Sequence, residues 1–176
     1  FKMIKMKRIH HVAYRCTDAK VTVDWYKEHL NMELTVAIAE NEVPSTKAPD
    51  PYMHIFLDAG MGNVLAFFEI PNSPTMGRDE NTPTWVQHIA LEVEDVDALV
   101  AAKEELQSKG VDVLGPVHHG VFKSIYFFDP SGHRLELAAN TGTVEQMKEL
   151  KRVAPLMIEE WAVTKVAPKH AAWLHE

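Results

Sequence analysis

The chain has 176 residues, of which 46% are hydrophobic and 24% charged, a composition typical of a globular protein that can bury a good core. Its formal net charge of −7 argues against a nucleic-acid partner, and its apolar runs are too short to cross a membrane. The single cysteine excludes an internal disulfide and a thiolate metal cluster. Because the start lacks the apolar core of a signal peptide, we expect a cytoplasmic protein. Ten histidines point to metal or acid–base chemistry.

The first half of the chain predicts the element order β-α-β-β-β. A strand over 8–16 precedes a helix that Thr17 or Asp18 caps and Asn31 ends. Residues 33–40 predict a second strand, and two further strands over 52–57 and 63–70 form a hairpin around Ala-Gly-Met-Gly. The polar, proline-punctuated stretch 71–84 is typical of a linker.

After the linker the same pattern begins again. The segment HVAYRCTD, which starts at His11, matches HIALEVED, which starts at His88. Each segment predicts a strand and then an Asp-capped helix, and Gly110 ends the second helix. A glutamate ends the last strand of each half, because Phe68-Glu69-Ile70 matches Leu135-Glu136-Leu137. A repeat of a unit that cannot close its own core implies two modules packed side by side.

These observations predict an α+β fold of two βαβββ modules in tandem, which form a shared metal-containing half-barrel cavity. The modules span 8–70 and 85–140, with the linker 71–84 between them. Residues 141–176 are a C-terminal extension, in which 143–152 is helical in pattern and 156–163 is apolar enough to pack on the body or on a neighbouring subunit.

The repeat brings four candidate ligands into register, namely His11, Glu69, His88 and Glu136. His10 points to the opposite strand face from His11 and has no counterpart in the second half, so we expect His11 to point inward and His10 to lie at the surface or an interface. Each of the four alone is more often a satisfied structural group than a ligand. Two imidazoles and a carboxylate suit Fe(II), Mn(II), Zn(II), Ni(II) or Co(II) and leave about three positions open on an octahedral ion. Glu69 as a fourth ligand would instead favour Lewis-acid chemistry beside a carboxylate base.

These motifs resemble the vicinal oxygen chelate superfamily over residues 8–140. It includes glyoxalase I, extradiol ring-cleaving dioxygenases, methylmalonyl-CoA epimerase, and fosfomycin and bleomycin resistance proteins. Within it, residues 117–136 are similar to the extradiol dioxygenase pattern. Every position of that pattern is satisfied here, by Val117, His119, Ile125, Tyr126, Asp129, Pro130, Gly132 and Glu136.

The resemblance implies that Glu136 binds Fe(II) and that His119 and Tyr126 act catalytically beside the bound diol. It also implies a small, aromatic substrate and a homodimer. Without the pattern, Tyr126 is equally well an aromatic strand residue and His119 a loop residue. The aromatic and apolar side chains that would line the pocket or fill the core are Met53, Phe56, Phe67, Trp85, Phe122 and Phe127.

Two departures from the extradiol pattern leave other functions open. Asn63 stands where those enzymes carry the acid–base histidine, and an amide cannot take a proton at neutral pH; His54 and His119 are alternatives for that base. Glu69 stands where glyoxalase I has its fourth metal ligand. The sequence therefore predicts an extradiol-type dioxygenase first, a glyoxalase- or epimerase-like lyase or isomerase second, and a metal-free, ligand-sequestering protein third.

Overall fold

A computed structural model describes residues 3–176, and Phe1 and Lys2 lie outside the described residues. Within that range the chain forms eight strands, three α-helices and a short 3-10 helix. The elements of the first half are β1 Val12–Arg15, α1 Ala19–Leu30, β2 Leu34–Glu40, β3 Tyr52–Asp58 and β4 Val64–Glu69. Those of the second half are β5 Ile89–Glu92, α2 Val96–Ser108, β6 Leu114–His118, β7 Phe122–Phe128 and β8 Arg134–Asn140. Helix α3 spans Val144–Thr164, and the 3-10 helix spans Ala172–His175.

The strands form two four-stranded sheets with the same connectivity, β1-β4-β3-β2 and β5-β8-β7-β6. In each sheet the first strand of the repeat pairs in parallel with the last, and the remaining neighbours include antiparallel hairpin pairs. The predicted α+β fold of two tandem βαβββ modules is confirmed.

The predicted helix caps follow from local side-chain chemistry. Asp18 accepts a hydrogen bond from the backbone N–H of Val21, and Asp95 accepts one from Ala98. Both carboxylates satisfy a donor that the first helical turn leaves unpaired. Asn31 follows the last residue of α1 in the left-handed region with φ 52°, which confirms the predicted helix end.

The chain divides into two compact units. The first unit runs to Gln87 and also contains Phe128–Arg134, and the second contains His88–Phe127 and Leu135–Glu176. The core of the first unit lies between α1 and one face of its sheet, where the ring of Tyr26 contacts Phe67. In the second unit Leu99 and Leu106 of α2 are buried, as are Ile125, Phe127 and Leu135 of the sheet.

Helix α3 is longer than its sequence pattern predicts. Thr143 and Gln146 form a reciprocal capping box at its start, and the helix continues past Pro155 to Thr164. Val153 is buried, whereas the apolar side chains of the last turns, including Ile158 and Val163, are exposed. Across residues 3–176, the structure contains no helix that meets the length and apolarity needed to span a bilayer.

Candidate functional site

The second unit brings two of the predicted metal ligands into contact. His88 lies directly before β5, and Glu136 lies on the neighbouring strand β8, paired with Ala90. Nε2 of His88 is 2.9 Å from Oε1 of Glu136. The carboxylate side chain is 5% exposed and the imidazole 30% exposed, so the pair is open on the histidine side.

A serine hydroxyl holds the other oxygen of this carboxylate. Ser124 on β7 donates a hydrogen bond of 2.5 Å to Oε2 of Glu136. Burying a carboxylate is costly unless it is paired and hydrogen-bonded. The two partners of Glu136, one on each oxygen, therefore explain how the sheet tolerates a buried charge at this position.

The two predicted catalytic residues also meet in this unit. Nε2 of His119 is 2.7 Å from the phenol oxygen of Tyr126, and the Tyr126 ring lies edge-on to His88 with centroids 6.2 Å apart. Next to His119, a Cβ on Gly120 would come within 2.6 Å of Leu174 in the C-terminal 3-10 helix. Only glycine allows this approach, so the end of the chain packs against the loop that carries His119.

The first unit surrounds its repeat histidine with aromatic rings instead of a carboxylate. The exposed His11 ring lies 5.6 Å from Phe56 and 6.0 Å from His54, centroid to centroid. Its Nδ1 is 2.8 Å from Nδ1 of His10, and both residues are exposed. The prediction that they point to opposite faces, with His11 inward, is wrong because both precede β1, which begins at Val12. His54 in turn stacks on Phe68 at 3.6 Å.

The strand register corrects the predicted match between Glu69 and Glu136. In the first sheet Ala66 pairs with Ala13, two residues after the repeat histidine, and in the second sheet Glu136 pairs with Ala90, again two residues after the histidine. The counterpart of Glu136 is therefore Ala66. Glu69 lies three residues further along β4, and an odd spacing turns its side chain to the opposite face.

On that opposite face Glu69 has a structural partner. Its Oε1 accepts a hydrogen bond of 2.5 Å from the backbone N–H of Ala19, the first residue of α1. A carboxylate at a helix N-terminus satisfies an unpaired donor and interacts favourably with the helix dipole. The resemblance of Glu69 to the fourth glyoxalase ligand thus came from aligning Glu69 with Glu136 in the sequence. The strand pairing shows that this alignment is shifted by three residues.

The two residues considered for acid–base chemistry in the first unit differ in their surroundings. The Asn63 side chain donates to the carbonyl of Gly60 within its own turn. Among the described residues, Nε2 of His54 is buried without a hydrogen-bond partner. Burial, and then the neighbouring His11, lowers the pKa of His54, so its imidazole is neutral at pH 7.

The turn of the extradiol-like motif has a role that the sequence did not indicate. Asp129 accepts hydrogen bonds from the backbone N–H groups of Ser131 and His133 and, at 2.7 Å, from the phenol of the buried Tyr26. Burial and the Asp129 carboxylate raise the pKa of Tyr26. Nε2 of His133 lies 2.6 Å from the carbonyl of Arg15. Asp129 is thus a structural acceptor within the first unit.

The aromatic side chains of the predicted lining separate by strand face. Phe67 and Phe127 are buried in the cores of their units, and Trp85 is 66% exposed. Phe56 and Phe122 lie beside His11 and His119 respectively. Alternation along β7 places Phe122 and Phe127 on opposite faces, whereas Trp85 lies outside the strands.

Of the predicted metal-ligand set, the structure brings together His88 and Glu136. Across residues 3–176, no three His, Cys, Asp or Glu side chains lie in an arrangement that could hold a metal ion. The nitrogen and oxygen donors of the pair fit Fe(II), Mn(II), Zn(II), Ni(II) or Co(II). A cation beside His88 would add a charge partner to the two partners that the buried carboxylate already has. His11 as third ligand stays a prediction.

The fold is that of a class of tandem βαβββ proteins, many of them metal-dependent enzymes. The sequence profile of the Glyoxalase/Bleomycin resistance protein/Dioxygenase superfamily matches residues 8–137. The chain belongs to this superfamily.

Three similar proteins show how varied the superfamily is. MhqA of Bacillus subtilis, a candidate ring-cleaving dioxygenase by name, is 29% identical over 78% of this chain, which spans only 42% of MhqA. The metallothiol transferase FosB of Shouchella clausii is 34% identical, with 64% of this chain matching 83% of FosB. The crystal structure of a glyoxalase family protein from Enterococcus faecalis is 26% identical with a TM-score of 0.54, and the match covers 75% of this chain and 97% of that one.

Proposed function

We propose that this protein is a divalent-metal-dependent enzyme, an extradiol-type dioxygenase that cleaves the ring of a small aromatic diol with O₂. The contact between His88 and the buried Glu136 carries the proposal. These two side chains would hold Fe(II), with His11 as the third ligand that the sequence predicts. When bound, the iron would supply a path for electrons from the diol to O₂.

The phenol and imidazole beside this pair support the oxygenase chemistry. Tyr126 and His119 share a hydrogen bond of 2.7 Å, and the Tyr126 ring lies edge-on to His88. A phenol O–H can donate to a substrate oxygen whose negative charge grows during reaction. The imidazole can orient the phenol and exchange a proton with it, which is a role for His119 in general acid–base catalysis.

The surroundings of Glu69 support three protein ligands over four. Its carboxylate faces the start of α1 and accepts from Ala19, while Ala66 stands at the position that corresponds to Glu136. Fewer protein ligands leave more coordination positions for a chelating diol and O₂. This favours the oxygenase over the glyoxalase- or epimerase-like alternative.

Anaerobic reconstitution with Fe(II) tests the proposal. The loaded protein is exposed to air with a panel of catechols, and oxygen uptake and the ring-cleavage chromophore are followed together. We expect uptake of one O₂ for each ring cleaved, and no turnover by the Glu136→Gln variant. Iron binding without oxygen uptake on any catechol would reject the dioxygenase and keep the metal site.

The metal-free alternative has its own test. If the protein only sequesters an aromatic ligand, His88→Ala and His11→Ala will leave the affinity for that ligand intact. Under the proposed function, catechol binding to the anaerobic iron protein weakens in both variants. Fluorescence titration of the tryptophans with catechol distinguishes the two outcomes.

A further inference from the structure

Ser124 is a buried hydroxyl that donates a hydrogen bond to the candidate metal ligand Glu136. It lies on β7, opposite Val117 of β6, and is fully buried. Its Oγ is 2.5 Å from Oε2 of Glu136. An ionised carboxylate can only accept hydrogen bonds, so the serine is the donor.

The two oxygens of Glu136 therefore have different neighbours. Oε2 is held by the serine hydroxyl, and Oε1 faces Nε2 of His88 at 2.9 Å. Rotation of the carboxylate about its last side-chain bond would break the bond to Ser124. The hydroxyl thus fixes which oxygen is directed toward the imidazole.

The first unit shows that a sheet of this connectivity can form without the Glu136–Ser124 pair. At the position that corresponds to Glu136 it has Ala66, and the residue opposite Ala66 on the adjacent strand is Phe56. The same connectivity forms there with Ala66 and Phe56 at these positions, which carry neither a carboxylate nor a hydroxyl. A buried carboxylate with a dedicated donor costs more than an apolar pair, which indicates that the second unit keeps it for binding.

We propose that Ser124 is a positioning residue that holds Glu136 so that only Oε1 is presented to the bound divalent cation. This inference rests on the proposed function, because it needs a metal at His88 and Glu136. A carboxylate that binds through one oxygen leaves one more coordination position for substrate. Partners that orient metal ligands typically change metal affinity by about 10–100-fold when they are removed.

The test compares three variants by their Co(II) affinity, measured in competition with a chromophoric chelator, and by the visible spectrum of the bound Co(II). Ser124→Ala removes the donor, and Ser124→Thr keeps it. Thr22→Val is the matched control, because Thr22 is another buried hydroxyl and bonds to the carbonyl of Asp18 in the first unit.

We expect Ser124→Ala to weaken Co(II) binding by about 10–100-fold and to shift the spectrum, and Ser124→Thr to restore both. Thr22→Val lowers the melting temperature only. If Ser124→Ala proves unstable, Ser124→Cys replaces it, since a thiol of similar size is a weak donor. Unchanged Co(II) affinity and spectrum in Ser124→Ala, or in Ser124→Cys if that variant replaces it, would overturn the role of Ser124 and leave the proposed metal site standing. Failure of the wild-type protein to bind Co(II) would overturn the proposed metal site as well.

Discussion

The two sheets share one connectivity but hold chemically different residues at the position of Glu136. In the second sheet that position holds Glu136, bonded to Ser124, and in the first it holds Ala66 opposite Phe56. The histidine of each repeat is retained, with a carboxylate beside His88 and aromatic rings beside His11. A repeat can thus keep its backbone while one copy supplies charged ligands and the other apolar surface.

The largest effect is expected from removing the carboxylate that distinguishes the sheets. Glu136→Gln should weaken divalent-metal affinity by more than about 100-fold, the upper range for groups that only orient ligands. Glu69→Gln is the control and should leave the affinity unchanged, because that carboxylate bonds to Ala19. Chelator competition measures both. Equal losses in the two variants would restore the four-ligand alternative.

The phenol of the second sheet should matter for turnover and not for metal binding. Tyr126→Phe should lower kcat by about 100-fold, as does removal of a donor to a developing oxyanion. Metal content, measured by elemental analysis, stays at the wild-type level. Tyr52→Phe is the control, since Tyr52 packs against Phe68 in the first unit. Wild-type kcat in Tyr126→Phe would remove this residue from the mechanism.

The contribution of the first sheet is tested at its adjacent histidines. His11→Ala should weaken metal binding by at least about tenfold if its imidazole is the third ligand. His10→Ala removes the exposed imidazole whose Nδ1 contacts Nδ1 of His11, and it should have a smaller effect. Titration calorimetry with Co(II) compares them. Identical affinities for His11→Ala and the wild-type protein would limit the site to the second unit.

The smallest effect concerns stability. Tyr26→Phe leaves Asp129 without its phenol donor and should lower the free energy of unfolding by about 1–3 kcal/mol at pH 7. Urea denaturation measures this, with Tyr14→Phe as the control at a half-exposed ring.

The comparison of wild-type protein with Tyr26→Phe also predicts a dependence on pH. Burial raises the pKa of Tyr26 above its ordinary value of 10.0, so the folded state holds the phenol proton more tightly than the unfolded state does. The stabilisation of the folded state by the Tyr26 phenol is fully present below pH 10 and is lost as the pH rises above that value. The difference between wild-type protein and Tyr26→Phe should therefore shrink above pH 10. A constant difference would contradict this origin.

The sequence was informative where local chemistry sets the structure. Asp95 and Asn31 were identified as helix ends, and Thr17 or Asp18 as the first cap, because capping needs only neighbouring residues. His88 and Glu136 were singled out from the sequence, and the structure places their side chains in contact, while metal binding by them stays a prediction.

The sequence was less informative where the register decides. Glu69 and Ala66 are three residues apart on one strand, and only the ladder shows which of them matches Glu136. Ser124 was missed, although its spacing of two from Tyr126 puts both on one strand face. That a buried hydroxyl would bond to a carboxylate twelve residues later depends on the pairing of β7 with β8.

The partition of the hairpin turn has a consequence for how the protein is made. Phe128–Arg134 belongs to the first unit, where Asp129 accepts the Tyr26 phenol. Although the amino-terminal half ends near residue 87, its packing is complete only when the ribosome has synthesised residue 134. A gene divided at the proline-punctuated linker would therefore yield an amino-terminal fragment that lacks part of its unit, and co-expression would be needed to complete it. The carboxy-terminal fragment would contain the whole second unit.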